Sequence, residues 1–397
     1  MNHAARIARL GTETAFAVSA DAKAWADQGH EVYPFHLGDM NIRTPLNIIE
    51  AGYRAMLDKK TTYCPAAGIP ELRAALADDV GRARGLSYAA ENVSIQPGGK
   101  PSIGKFLMAL MNEGDEVLYP NPGYPIYESQ IEFLGGKPVP YSYIATDKGF
   151  RINRDQVEAA LTPRTKLIMY NNGQNPLGAE SDDDEMQWLA GLAQKRNLMV
   201  FSDEPYFDIR YKGKSKSIAS VPGMQERTLI AYTFSKKYAM TGWRLGGAIG
   251  PKELIDVFNK LNVNHESCTT HFIQWAGLEA LTGDQAGRHA ILNTLEERRD
   301  RLAALLNDIQ GVSVYRADVT FYLFPDVTEV YKRLGYDSPA EFRLDALRET
   351  GVSFCSRSHF GKPLPDEERV CIRFAYSGID VDLIEIALRK LKAFWER

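Results

Sequence analysis

From Val93 onward the chain alternates short apolar runs with longer segments whose apolar residues recur at helical spacing. Runs at 93–96, Glu116–Tyr119, Lys137–Tyr141, Lys166–Tyr170, Leu198–Ser202 and Leu229–Thr233 have strand length, and Ser102–Met111 and Asp184–Arg196 have helix length. Strands alternating with helices predict an α/β fold, in which a three-layer, mainly parallel sheet is covered by helices. Earlier, Thr14–Asp27 reads as an amphipathic helix, Glu31–Leu37 as a strand and Gly38–Asn41 as a turn. Pro45 suits the first turn of a helix running to Met56, and Pro70 opens another through Val80. The rhythm changes after a long charged helix from Gln285 to Ile309. Strands at Val312–Tyr315, Thr320–Phe324 and Val370–Tyr376, with helices at Phe342–Glu349 and Asp382–Trp395, predict a smaller α+β domain. The expected division is a large domain over 46–284 and a small one built from 1–45 and 285–397.

Composition narrows the function classes. The 397 residues are 44% hydrophobic and 25% charged, which suits an ordinary globular chain. A net charge of -4 provides no basic field for nucleic acid or an anionic membrane, so an anionic ligand must be held by local groups. No apolar stretch approaches the ~18 residues of a membrane span. The apolar patch near Ala15–Val18 is bracketed by Glu13 and Asp21 and is too short for a signal-peptide core. Four scattered cysteines lack metal-site spacing and are too few for a disulfide framework, so no metal and a reducing cytoplasm are expected.

In a parallel sheet, ligands sit at the carboxyl ends of the strands. Three polar clusters fall there: Asn171–Asn175, Asp203–Tyr206 and Thr233–Lys236. A fourth is the turn Gly98-Gly99-Lys100, which feeds a helix amino terminus and aims amide hydrogens at an anion. Taken alone, Ser235-Lys236-Lys237 reads as a solvated loop. A lysine at a buried strand end, however, has its ammonium destabilised and its neutral amine released for attack on a carbonyl.

Together these groups meet the needs of pyridoxal phosphate, which requires an amine, a carboxylate at its ring nitrogen, donors to its phenolic oxygen, an anion cradle and a flat neighbour. Lys236 is the candidate amine and Asp203 the carboxylate. Asn175 and Tyr206 are the donors, while Gly99, Lys100, Thr233, Ser235 and Arg244 surround the phosphate and Tyr124 stacks.

From about Val32 to Ser377 the sequence resembles the fold-type I, class I/II pyridoxal-phosphate aminotransferases of the aspartate aminotransferase superfamily. The lysine motif of that family is matched by Thr233, Ser235 and Lys236, and its G-x-R-x-G by Gly242, Arg244 and Gly246. The eight-residue step to Arg244 selects Lys236 over Lys237. Ser202-Asp203-Glu204-Pro205-Tyr206 and the segment Asn171, Asn175, Pro176, Gly178 match further motifs.

The resemblance implies a homodimer transferring an amino group between an L-amino acid and a 2-oxo acid by a ping-pong mechanism. In it Lys236, Asp203 and Tyr206 are catalytic, Arg373 clamps the substrate α-carboxylate beside Asn175, and Gly38 lines that site. Tyr63 reaches the neighbouring subunit's cofactor. Lys100 matches a lysine that binds the distal carboxylate of dicarboxylic substrates, which favours aspartate or glutamate. Carbon-sulfur lyases, aminotransferases for aromatic or neutral amino acids, and metabolite-sensing regulators share the pattern, although the last would be expected to carry a DNA-binding segment ahead of it and none is read in this sequence. Gly173, Leu177 and Met40 depart from the usual residues around the asparagine turn and the Gly38 loop.

Overall fold

The computed structural model describes residues 1–365 and 367–397, and its centre is a seven-stranded sheet. In chain order the strands are β1 (Val93–Gln96), β2 (Glu116–Pro120), β3 (Lys137–Tyr141), β4 (Thr165–Asn171), β5 (Met199–Asp203), β6 (Thr228–Thr233) and β7 (Gly246–Ile249). Their spatial order is β1-β7-β6-β5-β4-β2-β3. Neighbours pair in parallel except at β7, which runs antiparallel to both β1 and β6.

Successive side chains of a strand point to opposite faces, and here both faces are covered. On β4, Leu167 and Met169 pack with Ile103, Phe106 and Phe258, whereas Ile168 and Tyr170 pack with Val157, Leu189 and Ala193. Likewise, Leu229 and Ala231 of β6 join the first of these layers, while Ile230 and Tyr232 meet Leu72, Leu76 and Ala276. Burial on both faces explains why these strands read as unbroken apolar runs instead of alternating patterns. Each large aliphatic so buried contributes about 1.5–3 kcal/mol.

The helices that matter for the site are α1 (Ala15–Ala26), α2 (Leu46–Leu57), α3 (Pro70–Arg84), α4 (Lys100–Leu110) and α5 (Ile126–Phe133). A second, antiparallel sheet comprises β8 (Tyr322–Leu323), β9 (Cys355–Ser356) and β10 (Ile372–Ala375), in the order β8-β10-β9. Its apolar core is separate from that of the large sheet and draws Leu295, Leu302, Phe342, Ile384 and Trp395 from the helices Ala286–Asn307, Pro339–Thr350 and Val381–Trp395. Among the described residues no helix is long and apolar enough to cross a membrane.

Several elements differ from the expectation. The strand foreseen at Glu31–Leu37 shrinks to Tyr33–Pro34, paired with Val352–Ser353. Pro34 has no amide hydrogen for a ladder, and after Phe35, whose carbonyl accepts from the Ala375 amide, the His36 carbonyl turns to the Arg373 guanidinium. Val312–Tyr315 forms no strand beyond a single bridge from Ser313 to Asp326, and Thr320–Phe324 narrows to β8 because Thr320 sits at φ +70°. A hairpin of Tyr143–Thr146 with Gly149–Ile152 was not anticipated; its half-exposed strands carry little apolar signal. Leu177, one of the departures from the family pattern, is buried against Ala179, Phe324 and Cys371, so it fills an apolar seam.

Candidate active site

The antiparallel strand organises the site. Because β7 runs back along β6, the chain that leaves the sheet at Thr233 returns beside it at Gly246, whose Cα is registered with that of Thr233. Everything between is held at one sheet edge. The Thr233 hydroxyl accepts from the Ser235 amide and starts the short helix Phe234–Lys237. Arg244 then adopts a left-handed conformation at φ +55° and donates to the Thr241 carbonyl at 2.6 Å. Its guanidinium lies so close to Gly98 that a Cβ there would overlap it.

Neither lysine of the motif is a solvated loop residue, and they point apart. Lys237 is buried between Asp79 and Asp208, at 3.2 Å from each. Lys236 enters a cavity of about 580 Å³ and donates to the Gly38 carbonyl at 2.6 Å. Burial pushes its amine down to about 8; the nearby Asp39 and Glu13 carboxylates oppose that shift, and Arg373 and Arg244 reinforce it.

Across the cavity, Asp203 ends β5 beside Asn171 of β4, whose side-chain amide donates to the Asp203 carbonyl at 2.8 Å. Tyr127 of α5 donates its hydroxyl to the Asp203 carboxylate. Burial pushes this carboxyl up to about 6, the Tyr127 hydrogen bond opposes it, and the charge of Glu204 adds to it. Glu204 itself forms a 2.7 Å ion pair with Arg84, both side chains being 1% exposed.

Arg373 comes from β10, in the other sheet. Its guanidinium lies 4.6 Å from the ring centres of both Tyr322 and Phe360. One terminal nitrogen donates to the Asn175 amide oxygen at 3.1 Å and the other to the His36 carbonyl at 2.5 Å. Its Nε is buried without a partner, and among the described residues no carboxylate neutralises it. A buried cation lacking a counter-ion is a place for an anionic ligand. Tyr206 meets Tyr322 through their hydroxyls at 2.9 Å.

All the candidate catalytic, cofactor- and substrate-binding residues named from the sequence line this one cavity, with the exception of Tyr63. Tyr63 is 85% exposed beside a separate hollow near Cys268 and His271. Sequence reasoning missed Tyr127, Tyr322 and Glu13. Tyr127 carried one faint signal, its three-residue spacing from Tyr124, while Glu13 registered only as a charge flanking an apolar patch.

The arrangement fits pyridoxal phosphate on chemical grounds. It supplies a desolvated amine at Lys236, a buried carboxylate at Asp203, hydroxyl and amide groups at Tyr206 and Asn175, and an anion cradle. That cradle lies where the start of α4 meets Thr233, Ser235 and Arg244.

Gly38 is held to glycine by close approach, since an added Cβ would overlap the Tyr322 hydroxyl. Gly38→Ala is expected to displace Tyr322 and lower folding stability by about 1–3 kcal/mol, measured by urea unfolding. A variant as stable as the parent would refute that tight packing.

Comparison with known proteins gives a consistent answer. The family model for aminotransferase class I and II matches residues 32–391. Aspartate aminotransferase of Bacillus subtilis (strain 168) is 31% identical over 399 residues, spanning 100% of each chain. A probable aspartate/prephenate aminotransferase of Aquifex aeolicus (strain VF5) is 33% identical, over 98% of this chain and 97% of that one. Among solved structures, an aspartate aminotransferase from Rhizobium meliloti superposes with a TM-score of 0.92 at 29% identity, covering 100% of this chain and 99% of the other. An alanine aminotransferase from Pyrococcus furiosus gives 0.91 at 27% identity, with both chains fully covered at 100%.

Proposed function

Because the chain belongs to the class I and II aminotransferases, we propose that it moves an amino group between an L-amino acid, preferably aspartate or glutamate, and a 2-oxo acid in two successive half-reactions. The observation that carries this reading is the shared cavity: a desolvated Lys236 amine and a buried, unneutralised Arg373 guanidinium open into the same space.

Pyridoxal phosphate, used by members of this family, supplies when bound an electron sink for the charge left at the substrate α carbon. The residues of the chain do the rest. The guanidinium of Arg373 binds the α-carboxylate and so orients the α carbon toward Lys236. Lys236, neutral once deprotonated, takes the α proton and returns it. Asp203 would hold a proton on the ring nitrogen, and Tyr206 and Asn175 would donate to the phenolic oxygen. Because Arg373 takes the Asn175 amide oxygen, the amide nitrogen is the atom left to donate. Tyr124 would lie against the ring, while the backbone amides of Gly99 and Lys100 at the start of α4, with Thr233, Ser235 and Arg244, would hold the phosphate, which leaves the Lys100 ammonium outside that cradle.

The exposed Tyr63 is assigned to the site of a second copy of the chain, in a cytoplasmic homodimer. Residues 46–284 form the cofactor-binding domain, and 1–45 with 285–397 the smaller one.

Substrate choice rests on Lys100, a half-exposed lysine that lines the cavity. Relatives named aspartate aminotransferase support a dicarboxylate, while the alanine aminotransferase neighbour shows that the fold alone does not decide. The test is a panel of amino donors with 2-oxoglutarate or oxaloacetate as acceptor. Wild type is expected to prefer aspartate to alanine, leucine and phenylalanine. Lys100→Ala should lower kcat/KM for aspartate by about ten- to a hundredfold, the loss of one charge-assisted hydrogen bond, and spare alanine. An unchanged aspartate preference refutes the role of Lys100. Release of ammonia and pyruvate from cystathionine without any oxo-acid acceptor would refute transamination in favour of a lyase.

A further inference from the structure

The Lys100 ammonium is already paired with a carboxylate of the chain itself. Glu13 Oε2 accepts from Lys100 Nζ at 2.8 Å and from the Tyr124 hydroxyl at 3.1 Å. Glu13 lines the same cavity as Lys236 and Asp203. The segment that delivers it is a strap between the two sheets. On one side the turn Ala5–Arg9 rests on α5, where Arg6 lies over the Phe133 ring. On the other, Thr14 donates to the His359 carbonyl at 3.1 Å, and Ala15 and Val18 of α1 pack on Cys355 and Phe360. Phe360 is also the ring beneath Arg373. Glu13 is thus placed by packing at both ends.

We propose that Glu13 is a specificity-determining residue: its carboxylate stands in for the distal carboxylate of the substrate on Lys100 and Tyr124, and a dicarboxylate must displace it to bind. This rests on the reading of Lys100 given above. The two groups are chemically alike, since both are carboxylates seeking the same ammonium and phenol. The pair is also weak enough to exchange, because the Lys100 and Glu13 side chains are 45% and 22% exposed, and solvent screens such contacts. Monocarboxylic substrates have no distal group and leave the pair intact. Glu13 therefore narrows the gap between dicarboxylic and neutral substrates by handicapping the former.

The experiment measures binding of two unreactive ligands, succinate and butyrate, to the cofactor-loaded enzyme by titration calorimetry. Wild type, Glu13→Gln, Lys100→Met and the double variant are compared. Glu13→Gln is expected to tighten succinate by about fivefold, the worth of one partly exposed ion pair, and to move butyrate by less than about twofold. In the Lys100→Met background the gain for succinate should fall below about twofold. Unchanged or weakened succinate binding in Glu13→Gln overturns the proposal. So does an equal gain for both ligands, or a gain undiminished without Lys100, because each assigns to Glu13 only a general repulsion of anions. Turnover of aspartate by wild type in the same preparation separates the two readings. An enzyme active on aspartate with unmoved succinate affinity sinks this proposal alone, whereas one inactive on aspartate sinks the substrate assignment beneath it.

Discussion

Lys236→Ala is expected to yield a folded protein that has lost at least about 10⁴-fold in transamination, because in the mechanism proposed above the same amine would hold the aldehyde and carry the α proton. Misfolding will not account for the loss, and the pH dependence of stability shows why. The Lys236 amine is lowered from 10.5 to about 8, chiefly by burial. Between those values the unfolded chain binds a proton that the folded one has released, so stability rises with pH over that window. Below it, the folded state carries a buried ammonium at a cost of about 3 kcal/mol. Alanine removes that cost at pH 7, and water fills the space opened in an already polar cavity. The cofactor-free variant should therefore be at least as stable as the parent at pH 7, and the difference should vanish above pH 10.5, as read by urea unfolding. Substantial residual turnover would refute the assignment of the nucleophile.

Asp203→Asn is expected to separate stability from function in the same way but with the opposite pH dependence. Burial raises the Asp203 carboxyl from 3.8 to about 6, against the Tyr127 hydrogen bond. The folded state then binds more protons than the unfolded chain between these values, so stability falls as pH rises through them. At pH 7 the ionised carboxylate destabilises the cofactor-free protein by about 3 kcal/mol. Asparagine keeps the shape, still accepts from Tyr127 and carries no charge. The cofactor-free variant should gain up to about 3 kcal/mol at pH 7, with the gain falling to about half at pH 5. Turnover should fall by about 10²–10³-fold, because in the proposed mechanism the ring nitrogen would lose the anion that keeps it protonated. A variant of unchanged stability and unchanged turnover would refute the pairing. In the proposed reading the destabilised wild-type carboxylate would be offset by the cation it binds, an exchange of stability for activity common at functional sites.

How far the sequence could show this site depended on the distance along the chain between the parts. Lys236 and Arg244 lie on one turn, and Asp203 and Asn171 end neighbouring strands, so local spacing and strand ends sufficed. The contacts of Tyr127 with Asp203, of Glu13 with Lys100 and of Arg373 with the His36 carbonyl join residues 76, 87 and 337 positions apart. Folding alone brings those together, and no local period encodes them. The antiparallel sense of β7 was equally hidden, because Gly246–Ile249 is a small-residue run with no directional mark. Where the strand foreseen over Glu31–Leu37 stops early, the His36 carbonyl became the acceptor for Arg373, and in the turn that follows the Gly38 carbonyl became the acceptor for Lys236. Tyr63 raises a different difficulty, since a single chain gives it no site at all.

The antiparallel return of β7 also works as a ruler. Gly246 is registered against Thr233 on one side and Gln96 on the other, so the span from 234 to 245 is pinned at both ends. A residue added to or removed from that span would force either a bulge or a one-residue slip of β7, and a slip turns each of its side chains to the opposite face of the sheet. The span can therefore exchange amino acids more readily than it can change length. The separation of Lys236 from Arg244 is in this sense a dimension of the sheet written into the chain.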